Sequence, residues 1–348
     1  MRTATGPARR HRRVALPALT VAAACAALLL GPAATATPGP TDAGGTITLG
    51  GGLVTIPSAD VGPVNLHALP LGDGQDSSSP EAGHIDLCNP GMLQPAPNGG
   101  SLPWIHGSTW DLTQKAVSGG SVSWPNATFQ NVVHGSTRTI RRNDLPVGEP
   151  TGTFPVRPSD PAFPYRPDES IVEPNSFAVQ VPAKPKVANT PTCLAGDAGV
   201  TLDGVALLDG FDANGRDAGA NEVQDACNGH PNALGYHRHA MPFCLLARDT
   251  GTGQSGLLGY ALDGFGIYGP RGANGKVLTN ADLDACHGTT STVVWNGKKV
   301  RMYHYVFTWQ FPYTVGCLRG AVSSQHIFNT GGEGGAALPP GAPPGGGG

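Results

Sequence analysis

GYHRHAMPFC, residues 235–244, is the segment around which the rest of the chain can be arranged. Successive side chains of an extended strand face opposite ways, so His237 and His239 share one face and Tyr236 and Arg238 share the other. Two imidazoles on one strand face are costly to bury unless they share a partner. The segment therefore predicts a β-strand that carries half of a metal site.

A second segment, MYHYVFTWQFPYTVGC at residues 302–317, partly repeats the first. The sequence Asp225-Ala-Cys-Asn-Gly229 precedes the first Tyr-His pair, and Asp284-Ala-Cys-His-Gly288 precedes the second, Tyr303-His304. The glycines are typical helix stops, so we expect short helices over 218–227 and 280–286. The order of features predicts two pseudo-repeated units.

Further upstream, VALLDGF at 205–211 resembles YALDGF at 260–265, and this alignment makes Asp209 the counterpart of Asp263. Asn296-Gly297 between two apolar runs predicts a hairpin with a type I′ turn. With its many glycines and prolines, the chain favours short strands over long helices. We therefore expect a mainly β (β-rich α+β) fold with short helices, two pseudo-repeated units and disulfide cross-links.

The first 36 residues have the parts of a signal peptide: clustered arginines, the apolar run 14–30 and the small residues Ala34-Thr35-Ala36. We expect cleavage near Ala36 and a secreted, extracellular protein. Loss of five arginines changes the formal net charge from −3 to −8. This charge disfavours nucleic acid and anionic membranes as partners, and no later segment resembles a membrane span.

Composition divides the remaining chain into three parts. Residues 37–100 begin with a Pro/Gly-rich run and are expected to form a loosely ordered segment with short strands. Residues 101–328 are expected to form the β-rich domain. The Gly/Pro tail at 329–348 is too poor in apolar residues to offset its ordering entropy, and we expect it to be disordered.

Six cysteines follow the predicted signal peptide, and an even number in an exported chain indicates three disulfides. Sequence alone leaves several pairings open. The internal repeat favours Cys227 with Cys244 and Cys286 with Cys317, which leaves Cys88 with Cys193.

The expected metal ligands are the neutral imidazoles of His237, His239 and His304, which suit zinc, copper or manganese better than calcium. Four aspartates are candidates for oxygen ligands or for acceptors that orient the imidazoles: Asp209, Asp225, Asp263 and Asp284. For each histidine a buried structural role is the alternative, above all for His304, whose strand alternation points it into an apolar layer. No Gly-x-Ser-x-Gly and no phosphate-binding glycine loop is present, so no nucleotide cofactor is expected.

Three segments, at residues 215–245, 259–270 and 303–320, resemble the YHYH domain of secreted proteins, and the resemblance spans roughly 139–320. Arg238 stands where the second tyrosine of the name motif would be, on the face opposite the histidines. The resemblance implies export and disulfides but no particular reaction.

Three hypotheses for function follow. The first is divalent-metal binding at the histidines, with a metal-dependent activity as its extension. The second is a non-catalytic extracellular binding or structural domain, whose partner could be a small molecule, a polymer or a protein; a binding domain predicts an exposed aromatic surface at Tyr305, Phe307 and Trp309. The third is a metal-independent hydrolase that uses Asp and His as acid and base.

Overall fold

An eight-stranded sheet organises the chain in the computed structural model, which describes residues 45–90, 102–166 and 170–321 and the backbone of 326–329. The predicted signal peptide and all but the first residue of the predicted tail lie outside these ranges. The described part is mainly β with only short helices, as the sequence predicted.

The elements are numbered in chain order. The strands are β1 Thr46–Leu49, β2 Val54–Pro57, β3 Leu69–Pro70, β4 Asp76–Ser77, β5 Ile85–Asp86, β6 Ile105–His106, β7 Thr109–Trp110, β8 Phe129–His134, β9 Thr137–Arg142, β10 Phe177–Pro182, β11 Val187–Thr192, β12 Asp197–Thr201, β13 Ala206–Leu208, β14 Gly229–Asn232, β15 Gly235–Arg238, β16 Leu257–Ala261, β17 Gly266–Tyr268, β18 Gly288–Trp295, β19 Lys298–Val306, β20 Leu318–Gly320 and β21 His326–Asn329. The helices are α1 Ala218–Asn221 and α2 Phe243–Leu246, with 3₁₀ turns at Ser58–Asp60, Phe163–Tyr165 and Asn280–Asp282.

The large sheet has the order β14-β15-β13-β12-β16-β17-β19-β18. Each half contains an antiparallel hairpin, a parallel neighbour and an antiparallel outer strand: β12–β13 with β15 and β14, then β16–β17 with β19 and β18. The halves meet where β12 pairs antiparallel with β16. This topology supports the predicted duplication, which itself stays a prediction.

The hairpin turns correct the register of our repeat alignment. Asp203-Gly204 connects β12 to β13, and Asp263-Gly264 connects β16 to β17, with glycine φ angles of 87° and 89°. Asp203 is therefore the counterpart of Asp263. Asp209, which the alignment had placed there, lies beyond the end of β13, because a local match of Asp-Gly does not distinguish a turn within a hairpin from one after it.

The helices are shorter than predicted. The segment 218–227 contains only the single turn α1, capped by the Asp217 side chain, which accepts a bond from the Ala220 N–H. After it, Asp225 Oδ1 accepts bonds from the backbone N–H groups of Cys227 and Gly229. This local side-chain bonding replaces helical hydrogen bonds and ends the helix early.

Several features match the sequence predictions. The disulfides are Cys88–Cys193, Cys227–Cys244 and Cys286–Cys317, the pairing that the repeat favoured. Asn296 and Gly297, both with positive φ, turn β18 into β19. Residues 45–90 contribute five short strands, and their buried Ile56 and Ile85 belong to the same hydrophobic cluster as Phe307.

Candidate metal centre

Three imidazoles meet at one side of the large sheet. His230 on β14 lies opposite His237 on β15 in the antiparallel register, and His239 follows β15. The ring centroid of His230 lies 4.3 Å from that of His237 and 5.4 Å from that of His239. One ligand atom from each ring lies within 4.8 Å of the others, and all three residues are buried.

Two of these rings have a defined tautomer. His237 Nδ1 lies 3.0 Å from the Gly235 carbonyl oxygen, and His239 Nδ1 lies 2.6 Å from the Asp209 carbonyl oxygen. A carbonyl only accepts, so in each ring the Nδ1 carries the proton and donates. The Nε2 atoms of the neutral rings then have no proton, yet they lie 3.1 Å apart. Two lone pairs that face each other at this distance require a cation or an extra proton between them.

Glu222, just after α1, brings a carboxylate to the same point. Its Oε2 lies 2.9 Å from His230 Nε2 and 3.6 Å from His239 Nε2. Neither Glu222 Oε2 nor either ring nitrogen of His230 has a hydrogen-bond partner of acceptable geometry, although all three atoms are buried. Buried polar atoms without partners are uncommon in native proteins and often indicate a bound ion or water.

Burial favours the neutral, metal-binding form of His230 and His237. It lowers the pKa of His230, although Glu222 opposes this, and it lowers the pKa of His237 well below its usual range, helped by His230 and His239. For Glu222, burial alone would raise the pKa, but the neighbouring His230 and His239 lower it overall. Neutral imidazoles beside an ionised carboxylate are the ligand set of a divalent transition metal.

The spacing of the donors fits such an ion. Ligands at the usual zinc–nitrogen distance in a tetrahedral site are separated by about 3.3 Å, close to the 3.1 Å between His237 Nε2 and His239 Nε2. The Nδ1 bonds to backbone carbonyls also match the way in which metal-bound histidines are usually oriented. The three imidazoles therefore fit a metal with three nitrogen donors, and the Glu222 carboxylate lies beside two of them.

The structure does not bring His304 to this cluster. β19 is five positions from β15 in the sheet order, about 24 Å at the usual strand spacing. His304 is buried against Tyr268, and its Nδ1 bonds the Met302 carbonyl oxygen. The geometry thus supports the core role that its strand alternation predicted.

The four candidate aspartates have other partners. Asp209 approaches the cluster only through its backbone carbonyl, while its carboxylate, with a pKa raised to about 6 by burial, accepts from the Phe211 N–H. Asp225 and Asp284 each accept from turn N–H groups and from a tyrosine hydroxyl. Asp263 accepts from Tyr305 and from the Gly320 N–H. Their carboxylates organise turns and tyrosines.

The departure at Arg238 has a structural explanation. Arg238 is completely buried, and its guanidinium donates from both terminal nitrogens to the Asp203 carboxylate, at 2.9 and 2.8 Å. In the other half of the sheet, Tyr305 donates to Asp263 at 2.6 Å. The arginine therefore replaces a tyrosine–carboxylate bond with an ion pair.

An exposed aromatic surface is absent at the predicted place. Tyr305, Phe307 and Trp309 are all buried in the main hydrophobic cluster. Strand alternation predicts one face for all three, but β19 ends at Val306, and other elements cover the three side chains. Glu149 lies beside Cys227 and Cys244, but this group cannot hold a metal as thiolates because the two cysteines form a disulfide.

Sequence reasoning missed His230 and Glu222. His230 lies in the Asn-Gly-His-Pro run before β15, and its role depends on the antiparallel register that places it opposite His237. A hairpin prediction with its turn at Ala233-Leu234 would have indicated it. No sequence pattern indicated Glu222, because its position depends on where a one-turn helix ends.

These features define a disulfide-linked, mainly β domain with a Tyr-His strand next to each edge of its large sheet. Residues 178–278 match the family model described as YHYH protein. The segment contains His230, His237 and His239 and excludes His304. No curated protein and no solved structure matches the chain.

Proposed function

We propose that this chain is a metal-binding extracellular domain that holds one divalent transition metal ion between His230, His237, His239 and Glu222. The observation that carries the proposal is the pair of Nε2 atoms on His237 and His239, 3.1 Å apart with their protons on Nδ1. Because copper and manganese use imidazole and carboxylate ligands as well, zinc is the first of three candidates.

The donor set favours a structural role for the ion. Four protein donors complete a tetrahedral shell, whereas catalytic zinc sites usually keep one position open. An ion here would fasten the β14–β15 hairpin to the end of α1. The Glu222 side chain is about one-fifth exposed, against one-twentieth or less for the rings of His230 and His239. Exchange of Glu222 for water is therefore the route by which an activity could arise.

The test is metal content by elemental mass spectrometry on the protein purified without a histidine tag. We expect near-stoichiometric metal in the wild type and loss of it in the His237→Ala/His239→Ala variant, which should remain folded by circular dichroism. His304→Ala is the matched control, because His304 is also buried but lies outside the cluster. Equal metal content in all three proteins, or none even after addition of zinc, copper or manganese, contradicts the proposal.

The competing explanation is an imidazolium–imidazole pair, in which an extra proton lies between the Nε2 atoms and Glu222 balances its charge. Proton NMR distinguishes the two, since a shared proton gives a strongly downfield signal that exchanges with solvent and does not respond to chelators. That signal in a metal-free protein would favour the non-catalytic structural domain.

Neither of the other hypotheses gains specific support from the site. Asp225, Asp263 and Asp284 have their carboxylates occupied by turn and tyrosine donors, which does not favour an acid–base hydrolase. We also propose export by the predicted signal peptide. Three disulfides are consistent with an oxidising compartment, and none of the helices in the described ranges has the length and hydrophobicity of a membrane span.

A further inference from the structure

A cavity of about 120 Å³ adjoins the histidine cluster. Its wall includes the side chains of Arg142, Asp144, Phe177, Asp197, Ala206 and His237. Through His237 it shares one ring with the proposed metal centre. For comparison, an apolar cavity of about 150 Å³ holds benzene, so this space suits a ligand of about six non-hydrogen atoms.

Arg142 provides a preformed anion contact in this wall. Its side chain is only 9% exposed, it forms an ion pair with Asp144, and its guanidinium lies 4.8 Å from the Phe177 ring centroid. Its Nε has no hydrogen-bond partner. Burial lowers the pKa of Arg142 to about 10, with Asp197 opposing, so the group is charged at neutral pH. A buried guanidinium N–H without a partner is costly, and a carboxylate is its natural complement.

Asp197 adds a second requirement. Asp144 forms an ion pair with Arg142. Asp197 is an exposed residue of the same wall that interacts electrostatically with Arg142 but forms no ion pair among the described residues. A wall with two carboxylates and one guanidinium disfavours multiply charged anions such as phosphate. It favours a ligand that brings a positive group together with its carboxylate.

We propose that this cavity binds a small α-amino acid of the size of glycine or alanine, with its carboxylate on Arg142 and its ammonium group near Asp197. The two ends of the ligand match the two opposite charges that the wall presents. The proposal does not depend on a metal at the neighbouring histidines.

The experiment is isothermal titration calorimetry of the full secreted chain with glycine, L-alanine, acetate, methylamine and phosphate. We expect saturable binding of glycine or alanine, and at least about tenfold weaker binding of the other three probes, because each lacks one charged contact or carries excess negative charge. No saturable binding of either amino acid, or acetate binding as tightly as glycine, overturns the proposal.

Variants separate the contributions. Arg142→Gln should weaken glycine binding at least about tenfold, and Asp197→Asn should remove the preference for glycine over acetate. Ala206→Leu should block binding by filling the cavity while it leaves both charges in place. The neighbouring exposed Arg141→Gln is the control and should bind as the wild type does. Unchanged binding in folded Asp197→Asn or Ala206→Leu contradicts the assignment. Metal content measured on the same samples keeps this outcome distinct from that of the metal proposal.

Discussion

His230 and His237 face each other across β14 and β15, with ring centroids 4.3 Å apart. Neither residue alone marks a site, since a single buried histidine commonly bonds a backbone carbonyl. The antiparallel register brings the two rings together. His239 and Glu222 add two more ligand atoms, and these nitrogen and oxygen atoms face one another with too few protons to form hydrogen bonds between them. The predictions below test this arrangement and the scaffold that holds it.

Replacement of Glu222 by glutamine should weaken metal binding by at least about tenfold, because the amide removes the negative charge from the donor set. Competition with a chromogenic chelator measures the affinity. Glu149→Gln is the matched control, a partly buried glutamate that pairs with Arg248 outside the cluster. Identical competition curves for the two variants would exclude Glu222 as a ligand.

The disulfide Cys227–Cys244 encloses all three histidines of the cluster in one covalent loop with a sequence separation of 17. Its replacement by two serines should destabilise the fold by about 3 kcal/mol and also lower metal affinity, since the hairpin that carries the ligands is released. Serine replacement of Cys286–Cys317 should cost a similar free energy of unfolding without that loss. The checks are urea unfolding and chelator competition at a temperature where both variants are folded; equal metal affinity would show that the disulfide does not position the site.

The buried pair Arg238–Asp203 should be far more sensitive to substitution than its counterpart Tyr305–Asp263. Asp203→Asn leaves a fully buried guanidinium without its counter-ion and should destabilise the protein by about 3–5 kcal/mol. Asp263→Asn should have a much smaller effect, because its carbonyl oxygen still accepts from the Tyr305 hydroxyl. Denaturant unfolding compares the two, and a larger loss for Asp263→Asn would contradict this interpretation.

Arg238→Tyr tests the same pair from the other side. The new hydroxyl should donate to Asp203 as Tyr305 donates to Asp263, so this variant should be more stable than Arg238→Ala, which leaves a cavity and an unpaired carboxylate. Equal stability of the two variants would mean that the two halves do not share this contact.

His287 should make the fold sensitive to acid. Burial lowers the pKa of His287 to about 3, so between this value and about 6.5, the usual pKa of an unfolded histidine, the unfolded state binds the extra proton. Stability contributed by the neutral ring is present above about pH 6.5 and is lost as the pH falls, at about 1.4 kcal/mol per pH unit.

The variant His287→Asn isolates this contribution, because Asn228 occupies the equivalent left-handed position in the other half. Urea unfolding at several pH values should give a shallower dependence for the variant, by about that slope between pH 6 and 4. Parallel curves for variant and wild type would show that His287 does not titrate on unfolding.

Local patterns were sufficient for much of the scaffold. The repeated Asp-Ala-Cys segments predicted the pairing of the cysteines, and Asn296-Gly297 predicted the β18–β19 turn. These features depend on the conformational preferences of a few adjacent residues, which a sequence displays directly.

The site itself depends on contacts that local patterns do not display. His304 seemed equivalent to His237 because both follow a tyrosine, yet the sheet order separates their strands and each half has its own surroundings. The proposed ligand His230 is positioned by a strand pairing, and Glu222 is positioned by the length of a single helical turn. The sequence indicated the strand that carries two of the proposed ligands, whereas tertiary packing determines the other two.

The hairpin β18–β19 places Thr289 opposite His304 in the same register in which β14–β15 places His230 opposite His237. The two hairpins thus share one register, and only the first has a histidine on both strands of this pair. Val306 occupies the position in the second half that His239 occupies in the first. The double variant Thr289→His/Val306→His would therefore test whether the shared backbone register is enough to form a metal site. The second half is therefore a natural starting point for engineering a two-centre protein.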